Sequence, residues 1–120
     1  MLDLKAAHSG SKEIEQQMDE LVAAVHTSDL YQELQGATEE LRRYPELYKK
    51  VNEYRTRRFY NQIAGQEMWD GSLSDLRREC MAEMPARRFL DAELDYCRLL
   101  RRIGRQFYEG TQIDLEFLED

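Results

Sequence analysis

Ile14, Met18, Leu21, Val22 and Val25 stand at i, i+4, i+7, i+8 and i+11. With about 3.6 residues per turn these positions share one side of a helix, so the spacing predicts an amphipathic helix over residues 12–27 whose other face is acidic. The pattern returns along the chain. Leu30, Leu34, Ala37 and Leu41 mark a second helix over 29–43, capped by Ser28 or Asp29, with Gln32 in the capping-box position and Gly36 weakening it. Pro45 suits a first helical position and opens a third helix over 45–64, with Leu47, Val51, Tyr54 and Phe59 bracketing its buried face. Gly65 and a loop carrying Trp69 follow. Leu73, Leu76, Cys80 and Met84 line a short fourth helix over 73–84, capped by Ser72 or Ser74. Pro85 opens the fifth and longest helix, over 86–108, and Gly110 ends it. The tail, 110–120, alternates Ile113, Leu115 and Phe117 with polar residues, which fits an extended arm or a disordered end equally well.

With two prolines, 34% charged residues and helical periodicity throughout, the 120-residue chain reads as a single all-α domain of four to five helices with a short C-terminal arm. Stripes this broad offer more apolar surface than so small a monomer hides. The expectation is an oligomeric helical bundle, a homodimer or a larger homo-oligomer. No apolar run approaches the roughly 18 residues of a membrane span, and the opening MLDLKAAHSGSKE lacks the long apolar centre of a secretory signal. A soluble cytoplasmic protein without a membrane partner is expected.

The net charge of −7 disfavours a general nucleic-acid binder, but the charge is segregated. Residues 1–41 hold nine acids and two bases, 42–105 hold fifteen bases and ten acids, and 106–120 hold five acids alone. Either these segments lie against each other, within or between subunits, or the basic middle meets an acidic partner.

Signatures of catalysis are absent. His8 and His26 form none of the helical spacings that aim two ligands at one metal, and the chain lacks the glycine-rich phosphate loops and the nucleophile elbow. No enzyme activity and no metal site are expected. Cys80 and Cys97 are too few for a disulfide framework and read as reduced, small apolar side chains. Glu39 and Glu40 read as a solvated helix face.

One acidic residue does not fit its surroundings. Glu93 falls among Phe89, Tyr96, Cys97 and Leu100 on the apolar side of the fifth helix. An ionised carboxylate there must be protonated, hydrated or paired. Arg55 is the natural partner, because it sits between Val51 and Phe59 on the apolar face of the third helix and guanidinium can grip a carboxylate through two hydrogen bonds. The expectation is a structural buried pair of Arg55 and Glu93, with a ligand-binding role or exposure at an interface as the other readings. Arg98, Arg101, Arg102 and Arg105 cluster on the outward face of the same helix, with Arg87 and Arg88 at its start. They either complement the helix dipole or dock an acidic protein surface or RNA phosphates.

The arrangement SDLYQEL…ELRRYPELYKKVNEYRTRRF…RRFLDAELDYCRLLRRI resembles the YlbF/YmcA-like family of small helical regulators of Gram-positive bacteria, over residues 14–107. Pro45-Glu46-Leu47, Val51-Asn52-Glu53-Tyr54-Arg55, Phe89-Leu90 and Ala92-Glu93 carry it most specifically. Tyr44 and Met84 stand where typical members have a capping aspartate and asparagine. The resemblance implies a non-enzymatic, oligomer-forming regulator or adaptor. It would work with other regulatory proteins in a complex that modulates ribonuclease Y-dependent RNA processing and, through it, competence, biofilm formation and sporulation. The family's complex can carry iron–sulfur clusters. Cys80 and Cys97 match no cluster-binding arrangement, so no cofactor is expected for this chain. The alternative reading is a stand-alone RNA- or small-ligand-binding regulator that uses the arginine-rich face.

Overall fold

The computed structural model describes residues 4–63 and 71–112, and side chains from Gly10 onward. Among them the chain forms five helices and no strand: α1 Leu4–His26, α2 Asp29–Arg42, α3 Pro45–Ile63, α4 Gly71–Ala82 and α5 Met84–Thr111. The all-α expectation holds. Gly65, Trp69 and the arm bearing Ile113, Leu115 and Phe117 lie outside the described residues.

Three boundaries differ from the sequence reading, each for a local reason. α1 begins at Leu4, because the polar run Ser9-Gly10-Ser11 contains no proline and does not stop a helix. α4 begins at Gly71, so Ser72 and Ser74 lie inside its first turns instead of capping it. α5 runs through Gly110 to Thr111, whose Oγ1 donates to the Phe107 carbonyl at 2.7 Å, and the chain leaves the helix at Gln112. The start of α5 has no side-chain cap, since Glu83 occupies the cap position without bonding back.

The turn between α1 and α2 is closed by hydroxyl and amide groups. Ser28 Oγ donates to the Val25 carbonyl at 2.6 Å and accepts from the Tyr31 amide at 3.3 Å, which caps α2. Gln32 makes no capping box; its side-chain amide donates to the His26 carbonyl at 2.8 Å, satisfying the end of α1. His26 stacks on Tyr31 at 4.6 Å, and Tyr31 meets Tyr96 of α5 at 5.7 Å.

The core is built by α2, α3, α4 and the first third of α5. Leu41, Val51 and Cys80 are sealed from solvent, surrounded by Ala37, Tyr54, Leu76, Ala86, Phe89, Leu90 and Ala92. Alanines at 37, 86 and 92 let α2 and α5 approach closely. Gly36 belongs to the same contact: a Cβ there would lie 3.1 Å from Arg88 Nη2, so its bare backbone lets the Arg88 side chain cross α2.

Six residues of the expected apolar faces are exposed. No described side chain of α1 is buried, and Ile14, Met18, Leu21 and Val22 are 47–62% exposed. Phe59 is exposed and lies beyond Tyr54, the last buried residue of α3. Met84 belongs to α5, at its exposed first turn, rather than to α4. Within α5 nothing after Glu93 is buried. The chain is correspondingly extended, with a radius of gyration of 20.2 Å. A compact domain of this length has about 14 Å.

Candidate functional site

Two features of α5 carry the charge chemistry: a carboxylate clamped at its buried part and an arginine strip on its projecting part. Glu93 is 10% exposed. Arg55 and Arg58, three residues apart and hence neighbours on one side of α3, each take one of its oxygens. Arg55 Nε lies 2.5 Å from Oε2, and Arg58 Nη2 donates to Oε1 at 2.8 Å. Both guanidiniums are oriented by aromatic rings, Arg55 over Phe89 at 5.3 Å and Arg58 over Tyr54 at 5.4 Å. Arg55 is further tied to Asn52 Oδ1 at 3.3 Å.

This geometry differs from a two-residue buried pair in two respects. The carboxylate is shared between two arginines, and those arginines are half-exposed, at 43% and 41%. Burial opposes the charge on Arg58, but the hydrogen bond and attraction of Glu93 outweigh it and hold the guanidinium pKa above its ordinary value. The arrangement fixes α5 against α3 without transferring a proton, because neither guanidinium gives one up at accessible pH. The sequence reading missed Arg58 as a second partner, and its i+3 spacing to Arg55 is the signal that could have found it.

A second clamp joins α5 to α2. Arg88 Nε donates to Glu33 Oε1 at 2.7 Å and Nη1 donates to Glu40 Oε2. Glu40 is therefore half-buried in an ion pair and not part of a solvated face, because Gly36 leaves room for Arg88 to reach across. Hydrogen bonds donated to Glu33 and then to Glu40 push the Arg88 pKa up, and the Arg88 bond holds the Glu33 carboxyl below its ordinary 4.5. Here acidic and basic segments of one chain do meet. Arg87 is likewise engaged, donating from Nε to the Met81 carbonyl at 2.8 Å.

Arg98, Arg101, Arg102 and Arg105 stand apart from these clamps. All four are exposed on one side of α5, beyond its last buried residue. Arg98 comes only within 3.9 Å of Asp95 in its own helix, and the other three have no carboxylate partner among the described residues. The strip lies opposite the stripe of Tyr96, Leu99, Leu100, Ile103 and Phe107, so the projecting half of α5 is apolar on one side and cationic on the other. The structure thus separates the candidate residues into an internal clamp, Arg55 and Glu93, and an external strip.

Of the two cysteines, Cys80 is buried and Cys97 is half-buried. Cluster iron is typically held by four thiolates, and this sequence has two cysteines. Cys80 is sealed in the core, where burial pushes its thiol pKa up, away from the thiolate a ligand must be. No group of three or more histidine, cysteine or acidic side chains is placed to hold a metal ion among the described residues. No helix among them is long and apolar enough to cross a membrane.

Residues 14–109 match the family model described as "Control of competence regulator ComK, YlbF/YmcA". Neither a curated protein nor a solved structure matches the chain. With most of its length matched, and with five helices and a clamped glutamate where the family-like segments meet, the chain belongs to the YlbF/YmcA family of competence regulators.

Proposed function

We propose that this protein is a non-enzymatic adaptor of the cytoplasm that regulates by joining other proteins in a complex, and that the arginine strip of α5 is its docking surface. The supporting observation is the contrast among its arginines. Arg55, Arg58 and Arg88 are engaged by carboxylates of their own chain, whereas Arg101, Arg102 and Arg105 are exposed without one among the described residues. Four like charges on one solvated face attract an acidic surface and reject a basic one. The family resemblance supplies the kind of complex: one that modulates ribonuclease Y-dependent RNA processing and the developmental programmes downstream of it. We read the adaptor as a homo-oligomer within that complex.

RNA phosphates would meet the same strip, and nuclease separates the two readings. The tagged protein is recovered from its own cells in treated and untreated halves, and ribonuclease Y and its associated regulators are measured. Their recovery after nuclease treatment, and its loss when Arg98, Arg101, Arg102 and Arg105 are changed to glutamine, is the expected result. Recovery that disappears with nuclease assigns the strip to RNA, and recovery unaffected by the four substitutions removes it as the docking surface.

A further inference from the structure

Arg55 and Arg58 have a second side. Glu93 meets them from within, at 10% exposure, while both arginine side chains stay more than two-fifths exposed. A guanidinium carries five N–H donors in a fixed fork, and the bonds to Glu93 and, from Arg55, to Asn52 Oδ1 do not exhaust either one. Two guanidiniums against one carboxylate also leave a positive charge uncompensated at the clamp. Neither arginine is loose, because Phe89 and Tyr54 orient them. The rotamer freedom that a surface arginine gives up on binding is therefore already lost in folding.

Their outer side borders an open groove of about 400 Å³ along α3. Asn52, Arg55, Phe59 and Gln62 stand at i, i+3, i+7 and i+10, on one side of the helix, with Arg58 and Tyr60 flanking them. Among the described residues no acidic side chain lines this groove, in a chain with 24 of them. The groove between α2 and α5 is the contrast: Glu33, Asp91 and Asp95 line it together with Arg87 and Arg88, so its cations are answered in place. One turn beyond Arg55, Phe59 and Tyr60 are 57% and 65% exposed, with their rings 6.1 Å apart and edge to face. The groove thus has cations at one end, aromatic rings at the other and a side-chain amide beyond each.

The geometry points to a nucleoside phosphate as the ligand of this groove, its phosphate held by Arg55 and Arg58 and its base laid on Phe59 and Tyr60. Guanidinium forks match phosphate oxygens two at a time, and here two forks sit side by side. Exposed rings beside arginines are a stacking surface for an unpaired base, and stacking accepts any base because each has a π face. The amides of Asn52 and Gln62 offer donor and acceptor together, which suits the edges of a base and the hydroxyls of a sugar. An inorganic anion or an acidic loop would use the arginines alone. A nucleoside phosphate supplies anion and ring in one molecule, joined by a single sugar across the one helical turn that separates Arg55 from Phe59. A free nucleotide and the end of a single RNA strand present the same chemistry. This site is separate from the arginine strip of α5 and does not rest on the docking reading.

Calorimetric titration and amide chemical shifts of the full chain test this, with adenosine 5′-monophosphate as the probe and adenosine and inorganic phosphate as its two halves. Saturable binding is expected, at least about tenfold tighter for the monophosphate than for either half, with the shifts centred on residues 52–62. Phe59→Ala, at an exposed position outside the clamp, should weaken the monophosphate by about tenfold. Arg58→Gln leaves Arg55 on Glu93 and should weaken the monophosphate by a similar factor while leaving adenosine as it was. A short oligoadenylate, with and without a 5′-phosphate, separates the sources. A phosphorylated strand that binds tighter than the monophosphate assigns the groove to an RNA end, and equal binding assigns it to free nucleotide. The absence of saturable binding by monophosphate and strand at millimolar concentration overturns the inference. So does a monophosphate that binds no tighter than inorganic phosphate and is unmoved by Phe59→Ala, which leaves a simple anion site. Shifts centred on residues 98–105 overturn it as well. The glutamine substitutions in the arginine strip should leave the titration unchanged, so failure of the docking reading and failure of this one are separately visible.

Discussion

The two parts of α5 share one helix and one period but have different neighbours. From Met84 to Glu93 the apolar side is covered by α2, α3 and α4, and two of its charged groups, Arg88 and Glu93, are each held by two partners. From Leu94 to Thr111 a stripe of the same kind is nowhere fully buried among the described residues, and the opposite side carries four exposed arginines. The difference does not lie in the periodicity, which continues unbroken through both. It lies in what the chain places across from each. An amphipathic stripe says that a face will be covered, but not which chain will cover it.

That contrast can be broken by substitution. The largest effect is expected in the covered region, where Leu41→Ala empties a sealed position and should lower unfolding free energy by about 2–5 kcal/mol. Leu21→Ala in α1 should cost less than about 0.5 kcal/mol in dilute protein, as at an exposed position. Urea unfolding at equal concentration compares them, and equal penalties would mean that α1 is packed after all.

The Glu93 clamp should show a smaller and non-additive effect. Either Arg55→Ala or Arg58→Ala leaves the other arginine on the carboxylate. Both arginines are also half-exposed, so solvent screening limits each single loss to about 1 kcal/mol. Removing both strands a nearly buried carboxylate, and the double variant should lose about 3 kcal/mol, more than the singles together. Simple additivity in urea would show that the two arginines act independently.

The smallest effect is expected at the Arg88 clamp and is one of pH. The folded-state pKa of Glu33 is depressed, so its contribution is present above the ordinary 4.5 and fades as pH falls through the lower folded value. Glu33→Gln should therefore flatten the acid limb of the stability profile below pH 4.5 and leave its neutral shape unchanged. An acid limb as steep as the parent's would remove Glu33 from the account.

The helices and the central core were legible because apolar spacing and the prolines fix them locally. Val51, Tyr54, Leu76, Cys80 and Phe89 fall on the faces their periods predict. The carboxylate was also legible, since an acid among apolar neighbours on one helix requires an explanation. Its sharing was harder to see. Arg58 sits at a spacing equally suited to solvent, and only the crossing of α3 and α5 brings both guanidiniums to Glu93. Gly36 was misread for a similar reason: in sequence it is a weak helix residue, and only the position of Arg88 makes it a passage. The exposure of α1 was hidden altogether, because a stripe contains no statement about what faces it.

The continuity of α5 makes it a lever. Its buried end is gripped from two sides, by α3 at Glu93 and by α2 at Arg88, and no proline interrupts the rod between Glu93 and Arg105. At 1.5 Å per residue that span is about 18 Å, so a tilt of about 10° at the grips would carry the last arginine roughly 3 Å sideways. Whatever loosens either grip is therefore felt at the strip as displacement, and whatever seizes the strip applies torque to the grips.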